Sequence, residues 1–204
     1  MGGAVRPEMG SPQPGEAAPD FSLPNSAGDE VNLSSLRGSW TLVHFTAAWC
    51  AYCDSEVEHL GRIADARADI KVVLVDVKDP SSVWLPYARA HVSPNVISLH
   101  DATGTTAAHF APPHAQQQLT DRWQVVLDST LIVDPQGKIR LFLLPDSAHF
   151  DPTFGAVREE LSQLRPEEVV GIHLASSPST CGVMTNLKVM SGYHIMSDHP
   201  SEPT

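Results

Sequence analysis

Cysteine is scarce in this chain, with three in 204 residues. Three are too few for a disulfide-stapled small domain, and an odd number cannot all pair within one molecule. Basic residues are also in deficit. Lys plus Arg number 13 against 24 Asp plus Glu, a formal net charge of −11. With no Lys/Arg cluster either, the electrostatic footprint of a nucleic-acid binder is missing, and anionic membrane surfaces are disfavoured. No apolar run approaches the roughly 18 residues of a membrane-spanning helix. No charged segment followed by an apolar one marks a signal peptide, so the expectation is a cytosolic chain or one that has lost its signal. No internal repeat is visible. What is present is 42% hydrophobic and 18% charged residues. That is enough for a packed core and argues for one domain with some length left at the ends.

Residues 1–16 are rich in glycine and proline and read as a flexible leader. The domain is expected over 17–165, with 166–204 as a partly irregular C-terminal extension. Within it, Thr41–Thr46 has the profile of a buried strand, Ala51–Arg67 shows helical spacing at Val57, Leu60, Ile63 and Ala64, and Lys71–Val77 is a second apolar strand. Pro80–Ala90 reads as a helix and Asn95–Leu99 as a third strand. Gln124–Val133 holds a fourth and Lys138–Leu144 a fifth, joined by the Asp134–Gly137 turn. Asp151–Leu164 reads as a closing helix that starts at Asp151 and Pro152. Strands alternating with helices, then a hairpin and a helix, predict an α/β domain.

The chemistry-bearing motif is Trp49-Cys50-Ala51-Tyr52-Cys53, placed where the first buried strand gives way to the first helix. A cysteine at a helix N-terminus faces unpaired N–H groups and the positive end of the helix dipole, which stabilise a thiolate. A second cysteine one turn on can meet the first without backbone distortion. The pair is expected to cycle between dithiol and disulfide, with Cys50 attacking and Cys53 resolving. Two other readings compete. A CxxC is often half of a zinc site, but no second pair of ligands stands at matching spacing. The cysteines could also be inert core residues.

The stretch from Gly15 to Pro24 (GEAAPDFSLP), Val31 to Gly38 (VNLSSLRG), Phe45 to Cys53 (FTAAWCAYC) and Ile132 to Ile139 (IVDPQGKI) resembles the thioredoxin-like redoxins of the AhpC/TSA-redoxin superfamily. These include the TlpA/ResA-type thiol–disulfide oxidoreductases and the peroxiredoxins. The resemblance implies a thioredoxin-like fold, a central mixed sheet flanked by helices. It implies thiol–disulfide exchange through Cys50 and Cys53, with no metal or organic cofactor. The partners would be protein thiols or disulfides and an upstream electron donor or acceptor. The Pro/Gly/Ser-rich leader ahead of the domain suits a periplasmic or extracytoplasmic chain that has lost a signal or anchor, with a cytoplasmic setting as the alternative.

The same resemblance assigns supporting positions. Trp49 would shield one face of the disulfide. His44 stands six residues before Cys50, where thioredoxins place a buried aspartate. It is read either as a proton shuttle for Cys53 or as a core histidine bonded to backbone. Asp128 falls in the slot of the family's cis-proline, where a carboxylate would raise the pKa of Cys50. Peroxiredoxins carry a Thr-x-x-Cys arrangement after a proline. Here Thr46 is four residues before Cys50 and no proline stands in Thr41–Cys50, which ranks disulfide exchange above peroxide reduction. A copper reading draws on His173, Cys181, Met184, Met190, His194, Met196 and His199 beside the cysteine pair, in the manner of Sco-type proteins. Trp84, Trp123, His100, His109 and His114 are expected in helix or loop context as packing or surface residues.

Overall fold

The computed structural model describes residues 12–50, 53–111, 116, 125–126, 129–143, 153–164 and 196–197. Its frame is a five-stranded mixed sheet. The strands are β3 (Trp40–Thr46), β4 (Ile70–Val77), β5 (Val96–Asp101), β7 (Ser129–Val133) and β8 (Ile139–Leu143), in the order β5-β4-β3-β7-β8. β3, β4 and β5 run parallel, while β7 lies antiparallel to both β3 and β8. The crossover from β3 to β4 carries helix α1 (Cys53–Ala66), and that from β4 to β5 carries α2 (Ser81–His91). Parallel pairing requires such crossovers, and they cover the sheet. This is why β3 and β4 read as nearly unbroken apolar runs.

Alternation along these strands sorts their side chains into two cores. Val43, Phe45, Val73, Val75 and Val77 face one way, with Leu131, Cys50, Cys53 and residues of α3 (Thr105–Phe110). Leu42, Val72 and Leu74 face the other, against Val57, Leu60, Trp84 and residues of α4 (Gly155–Gln163). Fully burying each Leu, Val or Phe contributes roughly 1.5–3 kcal/mol. The central strands therefore have a surplus that tolerates polar residues among them. Three sit on the α1–α2 face, at His44, Thr46 and Asp76, all fully buried.

Some features depart from the sequence expectation. The short hairpin β1 (Ser22–Pro24) and β2 (Glu30–Asn32) and the 3-10 turn Leu33–Leu36 are additions to it, as is α3. Gly15 and Glu16, read as leader, are tied to the sheet edge by Gly15 N–H to the Ile139 carbonyl at 2.7 Å and Ile139 N–H to the Glu16 carbonyl at 2.9 Å. The expected strand in Gln124–Val133 is two pieces. β7 joins the main sheet, and β6 (Val125–Val126) pairs antiparallel with β9 (Met196–Ser197), a segment read as irregular tail. The last helix begins at Gly155 rather than at Asp151 and Pro152. The reason is Phe154, buried in left-handed backbone with φ +54°, whose ring packs edge-on against His44 at 5.4 Å.

Candidate functional site

The two cysteines lie where β3 ends and α1 begins. Cys50 and Cys53 are joined by a disulfide, with Cα atoms 5.3 Å apart. Two backbone bonds shape the bend that brings them together. Cys50 N–H donates to the Ala47 carbonyl at 3.1 Å, and Cys53 N–H donates to the Cys50 carbonyl at 3.0 Å. Both residues are buried, Cys50 at 3% exposure and Cys53 at 0%. The described part of α1 opens at Cys53. Ala51 and Tyr52 lie outside the described residues. Trp49 is half-buried against the core that holds both sulfurs.

His44 is fully buried on the α1 face of β3. Its Nδ1 is 2.9 Å from the Thr130 hydroxyl, its partner across to β7. Its Nε2 is 3.5 Å from Oε2 of Glu56. Glu56 is a residue that sequence reasoning missed. It is 3% exposed and stands in the first turn of α1, three residues after Cys53. The available signal was periodicity: 53, 56, 57, 60 and 64 form one inward stripe, and a glutamate in such a stripe needs a partner. The histidine thus hydrogen-bonds the Thr130 side chain and stands near the Glu56 carboxylate, between β7, β3 and the helix that carries Cys53.

A second buried polar group lies one rung along the sheet, also unforeseen. Thr46, Asp76 and His100 are register partners across β3, β4 and β5. His100 is a strand residue, not the helix or loop residue expected. Its ring links this rung to Asp79 in the turn after β4, with Nε2 2.7 Å from the Asp79 carbonyl oxygen. Burial, followed by a hydrogen bond to the Asp79 side chain and the Asp79 charge, pushes the Asp76 carboxyl up to about 10. The Lys71–Val77 run was counted as apolar, and the buried aspartate within it was the overlooked signal.

Of the remaining expectations, Trp84 is buried in α2, stacked on Tyr87 at 5.6 Å, and His109 is exposed on α3. Asp128, Trp123, His114, Cys181 and the His and Met side chains of the tail lie outside the described residues. Among the described residues no group of three or more His, Cys, Asp or Glu side chains is placed to hold a metal ion. Among them, too, no helix is long and apolar enough to cross a membrane.

Comparison with known proteins gives the context for this geometry. The AhpC/TSA family model matches residues 14–142, which include both cysteines and the whole described sheet except its last residue. The thiol-disulfide oxidoreductase ResA of Bacillus subtilis is 23% identical over 127 residues, 61% of this chain and 64% of that protein. The chain spans less than two thirds of the length of the curated relatives it matches first, 41% of one and 64% of the other. Two solved structures share the fold. A secreted disulfide oxidoreductase of Mycobacterium tuberculosis, homologous to Escherichia coli DsbE, has a TM-score of 0.55 at 18% identity over 71% of this chain and 96% of that one. The peroxidoxin BcpB of Mycobacterium tuberculosis has a TM-score of 0.59 at 23% identity over 76% and 99%.

Proposed function

This chain belongs to the AhpC/TSA family, and from that premise we propose that it is a thiol–disulfide oxidoreductase acting on protein thiols and disulfides through Cys50 and Cys53. The observation that carries the reading is the Cys50–Cys53 disulfide at the mouth of α1. A peroxidatic cysteine needs no neighbour three residues on, whereas a disulfide-exchange pair does. Cys50 lies ahead of the helix, on the side of its positive end, which favours its thiolate and its role as the attacking sulfur. Cys53, the more buried of the two, resolves the mixed disulfide. The exchange needs only these sulfurs and a dithiol donor. Reduction of insulin by the full chain with dithiothreitol, in the presence of a metal chelator, tests the reading. Turnover above the donor-only rate is expected, and its absence would overturn it.

Supporting roles follow from position. Trp49 covers part of the core around the sulfurs. His44, with Glu56, forms the buried polar contact beneath the first turn of α1, and we assign it the exchange of the Cys53 proton. His44→Gln is therefore expected to shift the pH dependence of mixed-disulfide resolution while leaving the alkylation profile of Cys50 in place. An unchanged resolution profile would leave His44 a core residue. An extracytoplasmic setting is part of the proposal, supported by the likeness to a secreted disulfide oxidoreductase of Mycobacterium tuberculosis.

A further inference from the structure

The loop that carries Cys50 is held from behind by a carboxylate. Ala48, two residues ahead of Cys50, donates its N–H to Asp79 Oδ2 at 2.5 Å. Asp79 is buried in the turn after β4. Lys78 turns the chain to bring it there, with a left-handed φ of +67°. A non-glycine residue held in that region stores strain that surrounding contacts must offset. One such contact is the Lys78 N–H donated to the Asp101 carbonyl at 2.9 Å. Behind Asp79 is Asp76, fully buried, with neither carboxyl oxygen in a well-aligned hydrogen bond. His100 closes the group, its Nε2 2.7 Å from the Asp79 carbonyl oxygen and 3.4 Å from Asp76 Oδ2. A surface cleft of about 320 Å³ is lined by Pro24, Trp84 and His100 among others.

We propose that Asp79 is a positioning residue for Cys50: seated by Asp76 and His100, its carboxylate fixes the Ala48 N–H and puts a negative charge behind the redox loop. The inference deepens the reading of Cys50 as the attacking thiol and rests on it. Two peptide units put Ala48 within about 7 Å of Cys50, Cα to Cα. Asp79 Oδ2 contacts the Ala48 N–H itself, so its charge stands beside the loop that carries Cys50, and in partly buried surroundings a charge so placed moves the pKa of a neighbouring group. A neighbouring carboxylate disfavours a thiolate. Asp79 therefore makes Cys50 a weaker acid than the helix end alone would. A less stabilised thiolate makes the reduced state less favoured, so the charge biases the pair toward giving up electrons.

The other titratable or charged groups around Asp79 come from every neighbouring element. They are Asp76 and Lys78 on its own strand and turn, His100 and Asp101 on β5, Tyr87 on α2, and Asp54 on α1. Asp101 is occupied in capping α3, accepting the Ala107 N–H at 2.9 Å. Tyr87 donates its hydroxyl to Asp54 Oδ1 at 2.5 Å, and burial together with the Asp54 and Asp79 charges holds its phenol protonated well above the usual range. Asp76, kept protonated, acts on Asp79 as a neutral neighbour.

The test is the pH profile of Cys50 alkylation by iodoacetamide in the reduced full chain. Asp79→Asn keeps an acceptor for Ala48 but removes the charge. It should move the Cys50 midpoint down by roughly half a unit or more and shift the potential of the pair to a more oxidising value. Asp76→Asn, the isostere of a protonated carboxyl, should leave the midpoint where it is in the unaltered chain. An unmoved midpoint in Asp79→Asn, or an equal shift in both variants, would overturn the proposal. Should Asp79→Asn fail to fold, amide exchange at Ala48 in the unaltered chain decides: protection supports the bond to Asp79, and exchange at an open-loop rate refutes it. Alkylation does not require turnover. Failure to reduce insulin would sink the proposed function without moving this result, and an unmoved midpoint would sink only the role of Asp79.

Discussion

Cys50→Ser is expected to bring thiol exchange down to the uncatalysed background, and Cys53→Ser to halt it after a single event. In the reduced chain the Cys50 thiolate attacks a substrate disulfide, forming a Cys50–substrate bond and expelling one substrate thiolate. Cys53 then attacks the Cys50 sulfur, closes the internal disulfide and releases the second thiolate. A dithiol donor returns two electrons and completes the cycle. A serine hydroxyl cannot start this sequence, because its oxygen is not ionised at neutral pH and makes no bond equivalent to a disulfide. Without Cys53 the first bond still forms but has no internal thiol to break it. The structure supports this division: the sulfurs are already bonded, and Cys53 is sealed at 0% exposure. Intact-mass analysis after mixing with a disulfide substrate should show a stable adduct on Cys53→Ser and none on Cys50→Ser. An adduct on the Cys50 variant, or insulin reduction by it, would reverse the roles.

The second large effect concerns stability. Asp76→Asn is expected to stabilise the chain increasingly as pH rises. The Asp76 carboxyl is pushed up to about 10 from an ordinary 3.8, chiefly by burial and then by the hydrogen bond and charge of Asp79. Between those two values the folded chain keeps a proton that the unfolded chain has lost. Stability rises with pH only where the unfolded state binds more protons, and here the folded state does. The contribution of Asp76 is therefore full below about pH 4 and is lost steadily as pH rises toward 10, by up to about 1.4 kcal/mol per unit. The amide that replaces the carboxyl in Asp76→Asn has no acidic proton to lose, so the substitution removes that slope. Urea denaturation of both proteins at pH 5, 7 and 9 should show a gap that widens with pH. Parallel profiles would mean that Asp76 is ionised in the folded chain, which would also remove the neutral neighbour assigned to Asp79.

The parts of the molecule legible in the sequence are those with a strong local signature. β3, β4, β8, α1 and α2 follow apolar runs or helical spacing, and the Asp134–Gly137 turn joins β7 to β8 as expected. The position of the CxxC between strand and helix singled out Cys50 and Cys53, which the structure joins. Elements of three to six residues, such as β1, β2 and α3, are too short for periodicity to register. Their stability comes from packing, as when Phe110 of α3 meets Phe21 and Phe45 at 6.4 and 5.2 Å. The polar layer beneath the pair was hidden for a related reason. Glu56, Asp76 and Asp79 are ordinary surface residue types; the first two stand within apolar patterns that hint at burial, and the fold shows all three buried. His44 was flagged by its distance from Cys50, but the contacts to Thr130 and Glu56 depend on strand register and helix docking, which local sequence does not encode.

The central claim is that Cys50 and Cys53 form one reversible redox couple. A redox titration of the full chain in buffers of defined thiol–disulfide ratio, quenched by alkylation and read by peptide mass, tests it most directly. Cys50 and Cys53 should change together as a two-electron couple, with a tenfold change in the oxidised-to-reduced ratio for every ~30 mV. Cys181→Ser should give the same curve. A pair that stays oxidised in strong dithiol reductant while the chain remains folded would contradict the account, as would a curve that disappears in Cys181→Ser.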